Sequence, residues 1–69
     1  MYARVFTKAA HIRRFTISDI ASSGWEVREE HDWNIVRAVR YRDWHRVERA
    51  KLAFSREATT LAQAGWIEA

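Results

Sequence analysis

The stretch from Asp43 to Gly65 constrains this chain more than any other, because a helix start and a helix stop bracket it. The Asp43 carboxylate can accept from the free amides of a first turn, and Gly65, lacking a Cβ, enters the left-handed conformation cheaply. The 21 residues between them contain no Gly or Pro and are rich in Ala, Arg, Glu, Leu and Gln, all good helix formers. Projected at about 100° per residue, Val47, Ala50, Phe54, Ala58 and Leu61 share one face. Trp44 and Lys51 sit at its margin, Arg46, Arg49 and Arg56 point away, and Leu52 lies off the stripe. This spacing predicts one long helix, Asp43 to about Ala64, with Trp66 folding back as the apolar contact that accompanies a glycine cap.

Everything before that helix must supply the surface it packs on, and there the period changes to two. Arg14–Ile20, Trp25–Glu30 and Ile35–Tyr41 are rich in Phe, Ile, Val, Trp, Tyr and Thr, the composition of strands. Ala21-Ser22-Ser23-Gly24 and Asp32-Trp33-Asn34 separate them as turns. A three-residue second loop, with Asn34 in the left-handed position, sets Trp25 opposite Tyr41, Val27 opposite Val39, Glu29 opposite Arg37 and Glu26 opposite Arg40. A two-residue loop would instead set Arg28 opposite Arg37, and like charges directly opposite are unfavourable. Phe15, Ile17, Trp25, Val27, Val39 and Tyr41 then face the helix. Thr16, Ser18, Glu26, Arg28, Glu30 and Arg40 face solvent.

The expected architecture is α+β: a three- or four-stranded antiparallel meander with one long C-terminal helix on one face, in the order β-β-β-α, forming one domain. Tyr2–Thr7 offers a fourth strand, and Lys8–Arg13 reads as a helical turn or a connector. Arg4-Val5-Phe6-Thr7 and Arg13-Arg14-Phe15-Thr16 echo each other as two strands of similar design. A competing arrangement makes His45–Leu52 a strand and Phe54–Ala64 a short helix, as in some DNA-binding domains. The Val47/Ala50/Phe54 spacing opposes it.

Sixty-nine residues lie near the lower limit for folding on one core, which rarely supplies more than about 3–5 kcal/mol at this size. No cysteine is present, so neither a disulfide nor a thiolate metal site can help; four Trp, three Phe and two Tyr compensate. No apolar h-region or membrane-length span occurs, which leads to the expectation of a cytoplasmic protein without a membrane partner. The net charge of +3 is arranged in blocks: residues 1–18 are basic, 19–32 acidic and 37–56 basic. An acidic strand beside a basic one cancels locally, so the pI near 10 overstates any cationic face.

Gly24-Trp25-Glu26-Val27-Arg28-Glu29-Glu30, then Arg42-Asp43-Trp44-His45-Arg46-Val47-Glu48-Arg49-Ala50, and the closing Ala64-Gly65-Trp66 resemble a group of small uncharacterised bacterial proteins. The resemblance covers roughly residues 15–67. It implies a stand-alone bacterial domain and brings no activity, cofactor or ligand.

The chemistry-bearing residues are sparse. His11, His31 and His45 are scattered, and their spacing supplies no third metal ligand or nucleophile. Glu29 and Glu30 point to opposite faces of a strand and cannot act as a dyad. No Gly-rich phosphate loop exists. The expectation is therefore a non-enzyme with no metal or cofactor. Two binding roles are open. The first is assembly, as a homodimer or with a protein partner, through Trp33 at a hairpin tip and the off-stripe Leu52. The second is nucleic-acid contact through Arg40, Arg42, Arg46, Arg49 and Arg56, with Arg37 and Lys51 nearby and Tyr41 and Trp44 interleaved.

Overall fold

The computed structural model describes residues 2–21 and 24–69. The chain runs β1 (Tyr2–Lys8), β2 (His11–Asp19), β3 (Trp25–His31), β4 (Asn34–Tyr41), α1 (Trp44–Gln63) and β5 (Ile67–Glu68). The strands form one antiparallel sheet in the order β4-β3-β2-β1-β5. The expected meander with a C-terminal helix is therefore the observed fold, with residues 2–8 as its fourth strand and a short fifth strand that the pattern did not announce. His45–Leu52 is helical, which removes the competing arrangement. Ser22 and Ser23 of the first expected turn lie outside the described residues.

Residues 8–13 differ from expectation. They form neither a helical turn nor a connector: Ala9 turns the chain with φ 54° and β2 begins at His11. The cause is pairing with β1, where Phe6 lies opposite Arg13 and Arg4 opposite Phe15. The two Arg-x-Phe echoes thus form a checkerboard. Each guanidinium lies over the ring two residues on, at 5.4 Å for Arg4 on Phe6 and 5.5 Å for Arg13 on Phe15.

The β3–β4 register has all four expected pairs, but the loop that makes it is not the expected one. Asp32 and Trp33 alone form the turn, with φ 52° and 69°, and Asn34 is already in the strand opposite His31. Two left-handed residues are the geometry of a type I′ hairpin. A bulge then takes up one residue, since Glu30 pairs with Ile35 while Glu29 pairs with Arg37. Turn and bulge together displace the register by the same single residue that a three-residue loop would.

Asp43 caps α1 as expected, accepting from the His45 amide at 2.9 Å. At the other end the Trp66 amide donates to the Leu61 carbonyl at 2.9 Å and the Gly65 amide to that of Ala62 at 3.1 Å. With Gly65 at φ 92° this is a Schellman cap. It turns the chain so that Trp66 packs on the core and β5 meets β1.

Val47, Phe54, Ala58 and Leu61 of α1 close over Phe6, Phe15, Ile17 and Val27. The Phe54 ring stacks on Phe15 at 4.7 Å and on Tyr2 at 6.0 Å. Trp44 leans on Trp25 at 5.0 Å, so the apolar margin of the helix meets the sheet. On the opposite sheet face Thr16 and Glu30 are buried, not solvated as expected. Thr16 lies opposite Arg28, and Arg14 approaches Glu30 at 3.9 Å; the long arginine stems cover their shorter neighbours. The same face pairs Glu26 with Arg28 at 2.7 Å and Arg40 at 3.6 Å, the local cancellation that the charge blocks predict.

Candidate functional site

One helix cannot cover five strands, and β4 is the most exposed of the four long strands. Six of its eight residues are exposed and its outer edge has no neighbour in the sheet. The hairpin tip adds an apolar cluster: Trp33, Ile35 and Val36 are 68%, 58% and 62% exposed. Trp33 is doubly unusual, since a bulky side chain in a left-handed turn position carries a steric cost of about 1–2 kcal/mol that glycine would avoid.

Between β4 and α1 runs a groove of about 380 Å³, floored by Val27, Tyr41, Ala50, Ala53 and Phe54. Arg37, Arg46 and Arg49 rim it, together with Glu29. Glu29 already holds Arg13 at 2.9 Å. None of the three rim arginines has a carboxylate within salt-bridge distance among the described residues. The structure therefore gathers part of the expected basic set and disperses the rest. Arg40 lies on the other sheet face with Glu26. Arg42 occupies the exposed link before the helix, and Arg56 is exposed on the helix. Arg37, a neighbour of the expected set, is the strand residue that completes the rim, and its parity with Val39 and Tyr41 is the sequence signal for it. Leu52 is exposed, as its off-stripe position implies, but it lines a separate depression with Tyr2, Trp44 and Lys51.

The far end of the sheet brings together side chains that sequence spacing keeps apart. His11 Nδ1 lies 3.0 Å and His31 Nε2 3.6 Å from Asp32 Oδ2. Asp32 Oδ1 accepts from the Ile12 amide at 2.9 Å. The hydrogen bond to His11, and then that from Ile12, hold the Asp32 carboxyl below the usual carboxylate range. His45, on the helix, is not part of this cluster. Only the β2–β3 pairing, which sets His31 opposite Arg13, could have disclosed it from sequence.

No protein-family model, no curated protein and no solved structure matches this chain. Among the described residues no helix is long and apolar enough to cross a membrane.

Proposed function

We propose that this chain is a non-catalytic assembly module whose copies pair through β4 about a two-fold axis. The observation that carries the reading is the open eight-residue edge ending in an exposed, sterically costly Trp33. Open edges of this length template strand addition, and strained residues retained at a surface point to use there. An antiparallel pair centred on Val39 sets Arg37 opposite the partner's Tyr41 and Ala38 opposite the partner's Arg40. Shifting the centre to Arg37 or Arg40 would set arginine against arginine, so charge disfavours those registers. The same register sets Val36 opposite the partner's Arg42 and carries Trp33 past the end of the partner's strand.

The test uses the sign of the charge at position 38. Ala38→Lys faces the partner's Arg40 and should abolish dimerisation, whereas Ala38→Glu should tighten it, both read by analytical ultracentrifugation. Equal association constants for the two variants would exclude this register.

The nucleic-acid reading is supported by a different observation, the unpaired rim of Arg37, Arg46 and Arg49. Arginine forks suit phosphate oxygens, and pairing through β4 would set two such grooves side by side. Titration of labelled single- and double-stranded DNA and RNA at two salt concentrations tests it. Affinity should fall linearly in log–log with salt, and the slope should drop when Arg46 and Arg49 become Glu. No binding at low salt removes this reading and leaves the assembly proposal standing.

A further inference from the structure

We infer that His11, His31 and Asp32 form a binding site for a zinc-class divalent metal ion, with His11 Nδ1, His31 Nε2 and Asp32 Oδ2 as its three protein ligands. These atoms all lie within 4.8 Å of one another. An ion with bonds of about 2.0–2.1 Å to nitrogen and oxygen in tetrahedral geometry requires ligand separations of about 3.3–3.4 Å. The observed 3.0 Å and 3.6 Å to the carboxylate oxygen bracket that value, and the two imidazole nitrogens, within 4.8 Å of each other, close on the ion by rotation of side chains on an exposed rim.

The carboxylate is placed by the backbone and not by the histidines alone. The Asp32 amide donates to the Ile12 carbonyl at 2.8 Å, and the Ile12 amide returns a hydrogen bond to Oδ1 at 2.9 Å. The non-ligating oxygen is therefore occupied, which aims Oδ2 between the two imidazoles; orienting contacts of this kind accompany metal-binding carboxylates. Of the two cations paired with these histidines on this sheet face, Arg13 opposite His31 is engaged by Glu29 at 2.9 Å and Glu57 at 3.2 Å, and Lys8 opposite His11 donates to the Ala64 carbonyl. Two imidazoles and one carboxylate suit zinc, cobalt(II) or nickel(II) better than calcium or magnesium, which prefer all-oxygen shells. Both histidines are exposed, leaving the remaining coordination position open to water or to an outside donor.

A purely structural role for the cluster, as a His11–Asp32 ion pair closing the sheet end, makes a different prediction. His31→Ala removes one ligand but leaves the 3.0 Å His11–Asp32 contact in place. The untagged, chelator-treated chain is titrated with Zn²⁺ by calorimetry, its melting temperature is followed with and without the ion, and Co²⁺ is used for visible spectroscopy. The expected results are one ion per chain, a rise in melting temperature, and cobalt bands of tetrahedral intensity. His31→Ala should weaken binding at least tenfold while melting like the metal-free wild type, and His45→Ala should bind as wild type does. Absence of heat and of a melting shift at millimolar Zn²⁺ would overturn the assignment. So would binding that His31→Ala leaves unchanged.

Discussion

The two edges of the sheet are built in opposite ways. At β5 the edge is two residues long, and Arg4 clamps it by donating to Glu68 through both Nε and Nη2, at 2.8 Å and 2.7 Å. The Ala69 amide reaches back to the Val5 carbonyl, and Lys8 donates to the Ala64 carbonyl at the helix end. A short, charged, tied-down edge resists strand addition. At β4 the edge is eight residues long, carries Ile35, Val36 and Val39, and ends in Trp33. Its bulge bends only the tip; Arg37 to Tyr41 remains regular. One edge is short and tied down by its own side chains, and the other is long and open.

Both edges depend on the same core, so the largest effect comes from removing it. Phe54→Ala deletes the ring that contacts Phe15 and Tyr2 and should destabilise by about 3–5 kcal/mol, enough to unfold so small a domain. Denaturation monitored by circular dichroism measures it. Gly24→Ala comes next. At φ 102° its new Cβ would strike the Tyr41 carbonyl oxygen at the end of β4, whereas Gly65→Ala would meet only the Lys8 side chain at 3.6 Å. Both substitutions incur left-handed strain, and Gly24→Ala should lose more stability because backbone must also move.

Trp33→Gly sharpens the contrast, because stability and assembly should move in opposite directions. Glycine fits the left-handed turn position, so the monomer should gain about 1 kcal/mol, while association weakens. On the other edge, Ile67→Lys changes an equally exposed apolar residue and should leave association unaltered.

The smallest effect is confined to β5. The Arg4 hydrogen bonds hold the Glu68 carboxyl below its usual range, so the clamp is fully present above the ordinary glutamate range. It is lost as pH falls through the depressed folded value. Glu68→Gln should mimic that acid state at neutral pH, seen as faster amide exchange at Ala69 with little change at β3.

Most of this fold is legible in the sequence because the signals are redundant. Helix cap, glycine stop and 3.6-residue stripe agree on α1; aromatic, aliphatic and ionic pairs agree on the β3–β4 register. The turn was misread because a bulge compensates for a shorter loop, and only the sum of the two is visible in the pairs. β5 escaped because a two-residue strand has no period. The exposure of Trp33 and Leu52 is legible in their lack of a burial site, and the basic character of Arg46 and Arg49 in their charge. The joining of Arg37 to them and the His11–His31–Asp32 cluster depend on which strands lie side by side, which no spacing along the chain contains.

Light scattering of the wild-type chain across a dilution series from near-millimolar to micromolar decides whether β4 pairs between copies. A dimer of twice the 8.2 kDa chain mass is expected at the upper end, dissociating on dilution and upon Ala38→Lys. A strict monomer at near-millimolar concentration would contradict that pairing.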